Sequence, residues 1–217
     1  MIDISVPIHN DMPTWPTSIG VRVTQVEDRA SGAEANVSRL DCDVHTGTHV
    51  DAPCHMINDG EGVHALDLDV LNGRCYVADV RGLEVVTRDT LAEHPIPENT
   101  RRLLLRTDNS RWWAEGETNF HEDYVALTAE AAEWVVKQDV DLIGVDYLSV
   151  QCFTDGSDTH EVLLSNEVII VEGLNLTGVD GGAYDLSCLP LRIVGADGAP
   201  ARAGLRRLDQ PQPSVTG

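Results

Sequence analysis

Lysine is almost absent from this 217-residue chain: Lys137 is the only one, and 15 basic residues stand against 36 acidic ones, a formal net charge of −21. A surface this negative repels a phosphate backbone, which argues against nucleic acid as a partner. No apolar run approaches the length of a membrane span, and Met1-Ile2-Asp3-Ile4-Ser5-Val6 lacks the basic and apolar regions of a secretory signal. The expectation is a soluble, cytoplasmic protein with no membrane partner. Cysteine is present but unpatterned. Cys42, Cys54, Cys75, Cys152 and Cys188 form no C-x-x-C pair and are odd in number, which argues against a disulfide framework or a cysteine zinc site. The acidity has two readings: adaptation to high salt, where screening shortens the reach of carboxylate repulsion, or an acidic enzyme from an arginine-preferring, GC-rich genome.

The length favours one domain, residues 1–208, followed by a flexible tail, 209–217, that has little apolar surface to bury. Short strands are expected at 2–6, 20–26, 39–45, 75–80, 103–106, 142–146, 168–171 and 190–194, each bounded by turn or polar residues. In the third of these, Leu40, Cys42 and Val44 alternate with Arg39, Asp41, Asp43 and His45. That pattern reads as a half-buried strand delivering His45 on its polar side. Helical patterning is clearest over 128–138, where Thr128 can cap the N-terminus and Ala131, Trp134 and Val135 share a face. The mixture is α/β or α+β, with more strand than helix. Trp112 and Trp113 fall in a polar loop, where they could cover a ligand, pack on the core or meet another subunit.

Chemistry concentrates in His45-Thr46-Gly47-Thr48-His49-Val50-Asp51-Ala52-Pro53-Cys54-His55. Histidine and aspartate supply the nitrogen and oxygen donors that hold a divalent ion. In an extended chain His45 and His49 would lie about 13 Å apart, too far to share an ion. A helix would pair those two but turn Asp51 away, and Gly47 and Pro53 are poor helix residues. A strand ending at His45 and turning at Gly47 brings all three side chains together, with Pro53 fixing the exit. A lone histidine is ordinarily a surface residue; three with an aspartate in eleven positions are not. A second cluster holds His160 and Glu172. Glu172 ends an apolar strand, where a carboxylate needs a cation or good donors to offset desolvation, although taken alone an exposed strand-end glutamate beside Gly173 is the better reading, as is a helix-start histidine without function for His160. The remaining histidines, His9, His64, His94 and His121, have no companions at ligand spacing and are assigned to surface or packing.

The first cluster resembles the H-x-G-T-H-x-D-x-P-x-H signature of the cyclase family of metal-dependent hydrolases, which includes bacterial kynurenine formamidases and isatin hydrolases. The likeness extends to Met12-Pro-Thr-Trp15-Pro16, Gly144-Val-Asp146, Ile170-Val-Glu172-Gly and Pro200-Ala-Arg202-Ala. It implies one compact α/β domain of the swivelling β/β/α type with a mixed β-sheet core, assembled as a homodimer or homotetramer. By this resemblance His45, His49 and Asp51 bind one ion of zinc or manganese, and Asp51, His160 and Glu172 bind a second where the site is binuclear. His55 is then the proton-transfer residue and Trp15 a substrate contact. The implied reaction is hydrolysis of a small-molecule amide, foremost an arylformamidase releasing formate from N-formylkynurenine or a related formanilide. The alternatives are a hydrolase of cyclic amides, lactones or esters, or a metal-binding module without turnover. Two departures from the kynurenine formamidases, Thr17-Ser18 after Trp15-Pro16 and Glu161 after His160, leave the metal residues intact and bear on the substrate.

Overall fold

Leu103, Leu104 and Leu105 are all fully buried, so the strand that carries them is covered on both faces, as in a parallel sheet with helices outside it. The computed structural model describes residues 1–154, 156 and 158–208; the expected tail, 209–217, lies outside the described residues. In chain order the strands are β1 (Ile2–Asp3), β2 (Arg22–Glu27), β3 (Val37–Asp41), β4 (His49–Asp51), β5 (Asn72–Asp79), β6 (Arg102–Arg106), β7 (Leu142–Val145), β8 (Ile169–Glu172), β9 (Gly182–Pro190) and β10 (Gly198–Arg207). The helices are α1 (Leu68–Leu71), α2 (Arg88–Glu93), α3 (Ser110–Glu115), α4 (Ala129–Lys137) and α5 (Thr159–Ser165).

Strands β5, β6, β7 and β8 pair in parallel, whereas β4, β10 and β9 join antiparallel, and a β10–β9 pairing closes the seven into a barrel. Inside it lie Val50, Val77, Leu104, Leu142, Val171, Leu186 and Leu205. The alternate residues Ala78, Leu103, Leu105, Ile143 and Ile170 face outward, under Leu91 of α2, Val135 of α4 and Leu163 of α5. Each fully buried Val, Leu or Ile side chain among these stabilises the fold by about 1.5–3 kcal/mol. The α/β class and the mixed sheet expected from the sequence are both present in this single compact domain. Helix α4 begins as expected, with the Thr128 hydroxyl accepting from the Ala131 N–H at 3.2 Å. Among the described residues no helix is long and apolar enough to cross a membrane.

Three local expectations fail, each for a tertiary reason. The strand expected at 39–45 stops at Asp41 and is exposed throughout, because β3 pairs only with β2 in a separate two-stranded sheet. Of the apolar stretch 190–194 only Pro190 is in a strand, at the end of β9; the rest is a loop before β10, with Leu191 and Val194 exposed. Trp112 and Trp113 lie on α3 rather than in a loop, with Trp112 against Tyr147 and the Trp113 indole N–H donating to the Asp146 carbonyl oxygen.

Candidate metal centre and its cavity

Strand β4 is three residues long, and its alternation decides the site. Val50 points into the barrel, so His49 and Asp51 share the opposite face. Antiparallel pairing with β8 sets Glu172 directly across from His49, on the same face. His45 returns to this face through the turn foreseen at Gly47, whose φ is 62°. A Cβ there would lie 3.2 Å from Met12 and 3.3 Å from Val6. Gly173, φ 66°, backs the turn so closely that a Cβ would collide with the Gly47 carbonyl oxygen. The Thr48 hydroxyl staples the two segments, donating to the Gly173 carbonyl oxygen at 2.6 Å. Pro53 opens a short 3-10 turn, Pro53–His55, that carries His55 to the rim.

The structure brings together every residue singled out in the two clusters. His45 Nδ1 lies 2.8 Å from Asp51 Oδ1, and His49 Nε2 lies 3.4 Å from Asp51 Oδ1 and 3.3 Å from Glu172 Oε2. His160, in the first turn of α5, places Nε2 3.1 Å from Glu172 Oε1 and 3.7 Å from Asp51 Oδ2. His49, Asp51, His160 and Glu172 are buried, whereas the His45 and His55 side chains are about a quarter exposed. Each ring has a fixed outer partner. His49 Nδ1 donates to the Gly47 carbonyl oxygen at 2.9 Å, and His160 Nδ1 lies 3.3 Å from Gln151 Oε1. His45 Nε2 faces Asp197 Oδ2 at 2.8 Å.

Whether these residues suit a cation is decided by the atoms left over. Among the described buried side chains, His49 Nε2 and Asp51 Oδ2 make no hydrogen bond, and both point into the cluster. Such orphans are costly unless another group completes them. The donor atoms of His45, His49 and Asp51 lie within 4.8 Å of one another, as do those of Asp51, His55 and His160 and those of His45, His55 and Asp197. Nitrogen and anionic oxygen donors of this kind fit zinc or manganese.

The electrostatics agree. Burial opposes charging of His49, yet the Asp51 and Glu172 carboxylates outweigh it and push the imidazole up to about 10. Burial likewise raises the Asp51 carboxyl, but His45 and His49 hold it well below the usual carboxylate range. The floor of the site therefore retains positive charge in the form of protons, which a metal ion would displace. His55 behaves oppositely: burial, with His45 and His160 nearby, lowers it below the ordinary histidine value despite Asp51. Burial and these two neighbours thus favour its neutral form.

Above the cluster opens a cavity of about 440 Å³. Trp15, Met56, Leu148 and Phe153 form its apolar walls, and Ser18, Asp43, Ser149 and Gln151 add polar groups, with His45, His55, His160 and Glu172 also lining it. Trp15 is held edge-on between Phe120 and Phe153, at 5.2 and 5.4 Å between ring centroids. Asp197, Gln151 and Phe153 were not singled out from the sequence. Asp197 reads as an ordinary turn residue in Gly-Ala-Asp-Gly, and no local spacing marks it. Of the histidines assigned to packing, His121 stacks on Trp112 at 4.0 Å and His64 Nδ1 accepts from the Gly195 N–H.

The sequence and the fold of this chain have known counterparts. The sequence model of the family described as putative cyclase matches residues 2–151. Cyclase-like protein 1 of Arabidopsis thaliana is 39% identical over 209 residues, covering 92% of this chain and 82% of that protein. A kynurenine formamidase of Bacillus anthracis is 36% identical over 207 residues, covering 94% and 96%. A solved structure described as a potential metal-dependent hydrolase with cyclase activity superposes with a TM-score of 0.80 at 33% identity, over 94% of this chain and 95% of that one. Isatin hydrolase A from Labrenzia aggregata shares the fold, with a TM-score of 0.77 at 20% identity over 93% and 91%. The chain belongs to the putative cyclase family of metal-dependent hydrolases.

Proposed function

We propose that this chain hydrolyses the carbon–nitrogen bond of a small ring-bearing amide, with arylformamidase activity as the leading reading. The observation that carries it is the convergence of the orphaned His49 Nε2 and Asp51 Oδ2 with His45 Nδ1 beneath a cavity walled by Trp15 and Phe153. His45, His49 and Asp51 would hold one divalent ion, zinc or manganese, and Asp51, His160 and Glu172 a second. When bound, such an ion supplies Lewis acidity toward a carbonyl oxygen and lowers the pKa of water toward about 7.

The chain's own residues do the rest. Trp15 and Phe153 hold the substrate ring and exclude water around it. His55, whose neutral form is favoured by burial and by its neighbours His45 and His160, accepts a proton from the attacking water and returns it to the leaving nitrogen. Its Nδ1 lies 3.5 Å from Asp197 Oδ2, which leaves Nε2 for the transferred proton. The formamidase reading is supported by the B. anthracis relative, which this chain matches over nearly its whole length.

One observation favours a second reading. No arginine or lysine is among the described residues lining the cavity, while Asp43 and Glu172 are. A free carboxylate on the substrate would meet no guanidinium or ammonium group there, so neutral formanilides and cyclic amides suit this cavity better than an amino-acid derivative. Turnover of N-formylkynurenine, simple formanilides, isatin and lactones by the metal-loaded enzyme tests both readings. Mass spectrometry separates deformylation, which releases formate, from ring opening, which adds one water. No faster turnover of formanilides than of esters and lactones would reject the formamidase reading.

A further inference from the structure

Asp197 sits at the threshold of β10, on the opposite side of His45 from the metal cluster. A neutral imidazole carries one N–H, so only one of the two His45 nitrogens can donate. Nδ1 faces Asp51 Oδ1 at 2.8 Å, in the buried group that includes the orphaned atoms. Nε2 faces Asp197 Oδ2 at the same distance, where the carboxylate is about half exposed. A cation held by the buried group would take the Nδ1 lone pair, and the ring must then carry its proton on Nε2, toward Asp197. His49 and His160 meet the same requirement through neutral acceptors, the Gly47 carbonyl and the Gln151 amide oxygen. Only His45 of these three is served by a carboxylate.

The backbone around Asp197 is built for this approach. Its carbonyl oxygen accepts from the Ala52 N–H at 2.8 Å, tying it to the residue that follows Asp51. The next residue is Gly198, where a Cβ would lie 2.8 Å from both His45 Cε1 and the Val50 carbonyl oxygen and 3.2 Å from His45 Nδ1, so the ring rests against bare backbone beside β4. The same Asp197 oxygen lies 3.5 Å from His55 Nδ1, and the two rings sit 4.1 Å apart.

We propose that Asp197 is the positioning residue of the metal centre, locking His45 in the Nε2–H tautomer so that Nδ1 is presented as a ligand. This rests on the metal-hydrolase reading. Outer partners of this kind alter metal affinity by about 10–100-fold when removed. The test is competition of zinc and manganese, each alone, between a chromophoric chelator and the purified chain, its Asp197→Ala, Asp197→Asn and Gly198→Ala variants. Visible spectra of the cobalt-substituted proteins are recorded alongside. Asp197→Ala should weaken binding by about 10–100-fold and shift the cobalt bands. Asp197→Asn keeps an acceptor oxygen and should recover part of that loss, whereas Gly198→Ala, which displaces the ring, should weaken binding with Asp197 intact. Unchanged affinity and an unchanged cobalt spectrum in Asp197→Ala, with the parent chain binding metal, would overturn the assignment. Failure of the parent chain to bind either ion would instead overturn the metal-hydrolase reading.

Discussion

Asp51 and Asp146 are both fully buried carboxylates, and the fold treats them in opposite ways. Asp146 is closed by neutral donors: the Thr107 hydroxyl on Oδ1 at 2.7 Å, and the Thr107 N–H, Ser110 N–H and Ser110 hydroxyl on Oδ2 at 2.9, 3.3 and 2.7 Å. Burial still pushes its carboxyl up. Asp51 faces imidazoles instead, leaves Oδ2 without a hydrogen bond, and is held well below the usual carboxylate range. Burial alone therefore does not mark a functional carboxylate. What marks it is valence left open toward groups that could share a cation.

The sharpest way to break that comparison is to remove each carboxylate. Asp51→Ala should abolish metal binding and lower hydrolysis by at least about 1,000-fold, since Lewis-acid stabilisation is worth several kcal/mol. Asp146→Ala should instead destabilise the fold by about 3 kcal/mol, because buried donors lose their acceptor, while the folded fraction keeps its metal. Elemental analysis and denaturant titration check both outcomes. Loss of metal from folded Asp146→Ala would end the distinction.

Within the site, His55→Ala should retain the metal and lower kcat by about 100- to 10,000-fold, the usual contribution of a general base. Steady-state kinetics on metal-loaded protein measure it. A smaller change, Gly173→Ala, forces a side chain into the Gly47 carbonyl at a positive φ, and should destabilise the protein by about 1–3 kcal/mol, read from its unfolding midpoint. A further effect concerns pH in the metal-free protein. The folded value of His49, about 10, lies above its unfolded value of 6.5. Its contribution to stability is complete below pH 6.5 and is lost as pH rises toward 10. Denaturant midpoints at pH 6 and pH 10 should fall in that order, and metal loading should flatten the difference.

Much of the centre was legible because its residues are close in sequence and its turn has only one economical geometry. The spacing from His45 to Asp51 rules out both a regular helix and a straight strand, and Gly47 does turn there with a positive φ. Thr128 caps α4 for an equally local reason, as its hydroxyl reaches the N–H three residues on. Glu172 was suspect because a carboxylate closing an apolar strand needs compensation, and His49 and His160 stand beside it.

Expectations failed where the deciding neighbour is far along the chain. Alternation over 39–45 predicts a half-buried strand, but among the described residues no layer covers β3, which is exposed along its length. Leu191 and Val194 have strand-like chemistry yet fall in the loop of the β9–β10 hairpin, the pairing that closes the barrel. The same closure explains Asp197, which stands 152 positions from His45 and reaches it only because β10 pairs with β4. By itself the sequence determined the donor set and the local turn that gathers it, because steric limits on a short segment act within that segment. The tertiary structure alone decided which groups orient those donors and what walls the cavity above them, because pairing between distant strands depends on the whole barrel.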